Sequence, residues 1–90
     1  MKAKQKLNLK LEGDSRFYVY YHTDTNGDIF YIGKGTGNRA YTKSSRSDNW
    51  KKIVDSCKEG YGVCFFAIGL TDQESRDLEK SLIKQAVVSR

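Results

Sequence analysis

The sequence predicts a small α+β domain, and three observations carry that prediction. Asn26-Gly27 lies between two runs of β-branched and aromatic residues, the strongest short-range signal of a β-hairpin, here over residues 16–33. Trp50, Ile53, Val54 and Cys57 recur at i, i+3, i+4 and i+7, the spacing of an amphipathic helix. Thr71-Asp72-Gln73-Glu74 has the form of a capping box, which starts a second helix at Asp72.

Parity settles which hairpin side chains share a face. A two-residue turn at Asn26-Gly27 sets Thr25 opposite Asp28, Tyr20 opposite Gly33 and Tyr31 opposite His22. Tyr18, Tyr20, His22, Tyr31 and Gly33 then share one face, and Phe17, Val19, Tyr21, Phe30 and Ile32 the other. The second set reads as core and the first as a site, although aromatic residues also suit strands for packing alone. Beyond the hairpin, residues 39–43 suit a short helix and residues 44–47 a polar connection. Ser47 or Asp48 is available as N-cap of the first long helix, with Gly60 beyond its last turn. The apolar run Val63–Ile68, between Gly62 and Gly69, is expected to be a buried strand. The last helix is expected to turn Leu78, Leu82 and Ile83 inward and to run nearly to the end of the chain. Residues 1–15 form a separate basic arm, in which Leu7, Leu9 and Leu11 alternate with polar residues. An added edge strand and an arm touching a nucleic-acid backbone both suit it, and residues 16–90 form the domain proper.

Chemistry gathers behind the hairpin. Gly33-Lys34-Gly35-Thr36-Gly37-Asn38-Arg39 leaves a strand through three alternate glycines. Such a segment lets backbone N–H groups approach a phosphate while Lys34 and Arg39 add charge-assisted hydrogen bonds. A nucleotide loop fits poorly, because neither G-x-x-x-x-G-K-[ST] nor G-x-G-x-x-G is present and a hairpin is not the start of a βαβ unit. Glu79 stands at the edge of the buried face of the last helix. An inward carboxylate needs a partner. It is either an ordinary helix glutamate or the single protein ligand of a Mg²⁺ ion that keeps most of its waters and takes phosphate oxygens.

Ninety residues with 38% hydrophobic content make one core, not two. The net charge is +5. Lys34, Arg39, Lys43, Arg46, Lys51, Lys52 and Lys58 are opposed in their stretch only by Asp48 and Asp55, a basic flank that points to nucleic acid as partner. Tyr41 and Trp50 could stack on bases, with core packing favoured for Trp50. Cys57 and Cys64 are expected to be reduced and buried. No Cys/His cluster supports zinc, and the lack of a signal peptide or membrane-length apolar run leads to an intracellular expectation and no membrane partner.

Tyr18-Val19-Tyr20, Tyr31-Ile32-Gly33-Lys34, the arginine soon after, and Leu78-Glu79-Lys80-Ser81-Leu82-Ile83-Lys84 together resemble the GIY-YIG nuclease superfamily, over roughly residues 16–84. The short loop from Gly33 to Arg39 looks most like the branch containing the LEM-domain and ankyrin-repeat nucleases. The resemblance implies a three-stranded antiparallel sheet between helices that cuts DNA phosphodiesters with one Mg²⁺ or Mn²⁺ ion. It implies Tyr20 and Tyr31 as active-site tyrosines, Arg39 as the arginine, Lys34 as the lysine after the second motif, and Glu79 as metal ligand. Gly33, Gly35, Tyr41, Lys43 and Arg46 are expected along the phosphate path. His22 is a candidate for proton transfer, although a surface strand histidine is favoured. The chain departs from the family pattern at Tyr18, where glycine is usual, at Lys43, where histidine or tyrosine is usual, and in lacking an evident asparagine beyond the glutamate helix. A metal-dependent endonuclease is the leading expectation, with selectivity for DNA structure and a homodimer both compatible with it. A nucleic-acid-binding module that has lost turnover and a protein-interaction module are the alternatives.

Overall fold

The computed structural model describes residues 13–85. The expectations for residues 1–12, and for the last helix beyond Gln85, lie outside the described residues. Three strands, β1 (Phe17–Thr23), β2 (Ile29–Gly35) and β3 (Gly62–Leu70), form one antiparallel sheet in the order β2-β1-β3. Helix α1 (Asp48–Ser56) lies between β2 and β3, and α2 (Asp72–Lys84) follows β3. The short helix after the glycines is one 3-10 turn, Arg39–Tyr41.

The hairpin reaches the expected register by an unexpected turn. Asp24 N donates to Asp28 O at 2.9 Å and Gly27 N to Asp24 O at 2.9 Å, so three residues rather than two make the loop. Asp24 is the cause: its Oδ1 accepts from the N–H groups of both Asn26 and Asp28, and Gly27 takes φ +86° to close the turn. The extra residue is absorbed by a bulge. Thr23 pairs with Ile29 but His22 with Tyr31, and Tyr20 still faces Gly33. Phe30 is the residue passed over, and the bulge corrects its expected face: its ring lies 6.0 Å from His22, 6.5 Å from Trp50 and 6.5 Å from Tyr61, on the tyrosine side of the sheet.

Both sheet faces are covered, which revises the expected division into one core face and one open face. Tyr18, Tyr20 and Ala40 form a buried cluster flanked by Tyr31, Tyr41, Val63 and Phe65, under the segment that runs from the glycines to α1. Helix α2 covers the opposite face, where Val19 and Ile32 are also buried. Both helices start as the sequence predicts. Ser47 Oγ accepts from Trp50 N, and Thr71 and Glu74 complete the reciprocal capping box. Trp50 is buried, as its helical spacing required.

Two burial expectations fail for one reason. β3 is an edge strand, with Phe66 38% and Ile68 48% exposed, and Ile83 of α2 is 51% exposed. Helix α2 lies mainly over β2 and β1 and only marginally over β3, so among the described residues the β3 rim and the far turn of the helix are left largely uncovered. Cys57 is buried and free, whereas Cys64, on that edge strand, is only partly covered.

Candidate active site

The glycines of β2 make room for side chains. A Cβ on Gly33 would stand 2.8 Å from Tyr20 Oη and 2.8 Å from Tyr31 Cε2, and one on Gly35 would stand 2.7 Å from Arg39 Cβ. Tyr20 therefore lies across Gly33 beside the Tyr31 ring, at 6.0 Å between centroids, and Arg39 folds over Gly35. The expected open phosphate cradle is, at these two positions, a close-packed seat for the tyrosines and arginine. Gly37, at φ +56°, turns the chain instead.

Phenols fasten this seat. Tyr18 Oη donates to Gly37 O at 2.6 Å and accepts from Ala40 N at 3.0 Å, which ties the glycine segment to β1. Tyr20 Oη accepts from Arg46 Nη1 at 2.9 Å. Arg46 also donates through Nε to Thr42 O and through Nη2 to Arg39 O, at 2.9 and 2.8 Å. Its guanidinium carbon is 5.2 Å from the centroid of Tyr31, 5.3 Å from Trp50 and 5.7 Å from Tyr20. At 8% exposure, Arg46 is an internal post and not the surface phosphate contact expected of the basic flank. Nothing in the local sequence marks it, because a lone arginine in a serine-rich connection has no pattern until the loop folds back over the sheet.

His22 is the second correction. It is fully buried rather than on the surface. Its Nε2 is 2.8 Å from Ala40 O and its Nδ1 accepts from Trp50 Nε1 at 3.0 Å. A carbonyl only accepts and an indole N–H only donates, so the ring is the neutral tautomer with its proton on Nε2. Burial pushes its pKa down to about 4, against the pull of the Ala40 carbonyl. Both nitrogens are occupied, which leaves none for shuttling a proton to a substrate.

Burial raises the Tyr20 pKa above its ordinary value even though Arg46 donates to the phenol. Tyr20 is thus a neutral phenol at physiological pH, and the lowering that a base would need is not supplied by its neighbours. Tyr31 is less enclosed than Tyr20. Arg39 is half-buried, with Nη1 3.4 Å from Ser44 O, and its charge acts on Tyr18 and Tyr20. Tyr41 packs against Phe65 at 6.2 Å between centroids, and Lys43 is exposed with Nζ 6.0 Å above the Tyr61 ring.

Lys34 and Glu79 stand apart from this group. Lys34 alternates with Gly33 and pairs with Val19, so it lies on the α2 side, where Nζ meets Asp72 Oδ1 at 3.2 Å. Arg76 binds the other Asp72 oxygen at 2.8 Å, and Arg76 and Lys34 together hold the Asp72 carboxyl below its ordinary pKa. Glu79 is half-buried on the same side. Burial raises its pKa, and the charge of Lys34 opposes the rise. Among the described residues no hydrogen bond or ion pair joins Lys34 or Glu79 to Tyr20, Tyr31 or Arg39. No group of three His, Cys, Asp or Glu side chains gathers among them either, which leaves no place there for an all-protein metal cage. A single half-buried carboxylate, whose charge is poorly solvated, does suit a divalent ion that retains most of its waters.

No protein-family model matches the chain, and neither a curated protein nor a solved structure matches it. Among the described residues, no helix is long and apolar enough to cross a membrane.

Proposed function

We propose that this domain is a divalent-metal-dependent endonuclease of the GIY-YIG type acting on DNA. The observation that carries the proposal is the closure of Tyr20, Tyr31 and Arg39 over Gly33 and Gly35, where the absent Cβ atoms leave room for two phenols and a guanidinium. In this reading Arg39 bears the negative charge that grows on the phosphate as water attacks. Tyr20, buried and accepting from Arg46, fixes the seat beside Tyr31. Tyr31, the less enclosed phenol, orients the attacking water and passes its proton towards solvent. Glu79 is the residue that would hold Mg²⁺ or Mn²⁺, and such an ion would supply charge neutralisation on the leaving 3′ oxygen. The charge of Lys34 favours the ionised form of Glu79, against the burial that raises its pKa.

The separation of Glu79 from the tyrosines favours a second reading, a module of the same shape that binds nucleic acid without cutting it. Nicking of supercoiled plasmid and of branched DNAs separates the two. Wild type is assayed with Mg²⁺ or Mn²⁺ beside Glu79→Ala and a chelator control. Cleavage that both controls abolish supports the endonuclease. Tight, salt-sensitive binding without cleavage, unchanged or improved in Glu79→Ala, sinks it in favour of the binding module.

A further inference from the structure

Two features of the segment before α1 work against stability. Ser45 takes φ +59°, the left-handed region that a side chain with a Cβ rarely adopts, and it is the one non-glycine residue at positive φ among the described residues. Arg46, which follows it, is only 8% exposed, and among the described residues no carboxylate lies within ion-pair distance of its guanidinium. A buried charge without a counter-ion is costly. Packing between aromatic rings does not call for one. Backbone outliers persist where the surrounding structure holds them in place, and they gather at functional sites.

What the guanidinium adds to the packing is directed donors. It donates to Tyr20 Oη at 2.9 Å and to Arg39 O at 2.8 Å, and its carbon lies 5.2 Å from the Tyr31 ring centroid. Arg46 thus touches every member of the group that closes over Gly33 and Gly35. Its third bond, from Nε to Thr42 O at 2.9 Å, fixes the guanidinium itself. The left-handed residue brings it there: Ser44 and Ser45 are exposed, and the next side chain is buried. We propose that Arg46 is a positioning residue for phosphodiester cleavage, seated by the turn at Ser45, which holds Tyr20, Tyr31 and Arg39 in one arrangement without touching the phosphate. The inference rests on the endonuclease reading above. A misplacement of about 1 Å in a reacting group costs roughly 10²-fold in rate. Being buried, Arg46 offers DNA no surface, so its effect falls on kcat rather than on KM.

Single-turnover nicking of supercoiled plasmid with Mg²⁺ tests this, with each rate referred to the folded fraction measured by circular dichroism. Arg46→Lys keeps the charge and loses the planar fork. It is expected to lower the rate at saturating protein at least about tenfold and to leave the half-saturating concentration within about twofold of wild type. Arg46→Ala is expected to lose more and to regain part of the rate when methylguanidinium is added at sub-denaturing concentration. Ser45→Val, at an exposed position, opposes the left-handed turn while leaving the arginine in the chain, and is expected to slow cleavage in the same way. Ser45→Gly, which suits that turn, is expected to restore the rate. A wild type that cuts, beside Arg46→Lys and Ser45→Val variants that cut equally fast per folded molecule, overturns the positioning role and leaves the endonuclease reading standing. A loss confined to the half-saturating concentration does the same. A wild type that binds DNA without cutting it overturns the endonuclease reading, and the positioning role falls with it.

Discussion

Arg46 and His22 hold the tyrosine face together from inside. Arg46 fills the space between three aromatic rings and gives its donors to Tyr20, Thr42 and Arg39. Tyr20→Phe leaves a buried guanidinium N–H without an acceptor, and is expected to cost about 1–3 kcal/mol in urea denaturation. His22 gives the protein a pH dependence whose sign follows from its depressed pKa. The folded state holds the ring neutral down to about pH 4, whereas the unfolded chain takes up the proton near the ordinary value of 6.5. The His22 contribution is therefore complete above pH 6.5 and is lost as the pH falls from there through about 4, with a slope of up to about 1.4 kcal/mol per pH unit. Unfolding free energies at several pH values in that window, wild type against His22→Gln, check this. The wild type is expected to show the steeper fall. A proton on Nδ1 would point at the Trp50 N–H, so the Trp50 indole resonance is expected to shift in the same window.

Strand β2 carries the site through what it omits. Gly33→Ala places a methyl group 2.8 Å from both Tyr20 Oη and Tyr31 Cε2. Neither ring can yield without breaking the Arg46 packing, and a loss of about 1–3 kcal/mol is expected from overpacking. Any cleavage activity is expected to fall further than stability, because the displaced atoms are the phenols themselves. The hairpin loop behaves differently. Gly27 has open space around it but sits at φ +86°, so Gly27→Ala is expected to cost about 1–2 kcal/mol through backbone strain alone, with the site unaltered. Comparing the two alanine variants in denaturation and in the nicking assay separates crowding at the site from strain at a distance.

Across the whole molecule, the two covered faces divide the labour. Tyr20, Tyr31, Arg39 and Arg46 lie on one side of the sheet, with Lys34, Asp72, Arg76 and Glu79 on the other. If DNA is the partner, its phosphates meet the exposed cations Lys43, Lys51 and Lys52 rather than the buried Arg46. The Lys51→Ala/Lys52→Ala double variant is then expected to reduce the slope of log K against log salt by about 1–2. Arg46→Met is expected to lower the unfolding free energy and leave that slope unchanged in the folded fraction. Fluorescence anisotropy with a labelled duplex over a salt series measures both slopes.

The sequence by itself determined the local elements. Asn26-Gly27 gave away the hairpin, the Trp50 to Cys57 spacing and Ser47 the first helix, and the Thr71–Glu74 box the second, because turn chemistry, caps and helical periodicity act over a few residues. It also determined which tyrosines face Gly33, since side-chain parity along a strand is a local rule that the bulge at Phe30 happened to restore. Tertiary structure alone decided what lies over each face. The return of residues 36–50 across β1 and β2 buried His22 and Arg46, and it turned two residues with the look of surface groups into the interior of the site. The order β2-β1-β3 put the most apolar strand at the rim, exposing Phe66 and Ile68. Whether a residue is inside depends on contacts between segments far apart in the chain, and residue spacing carries no record of those contacts.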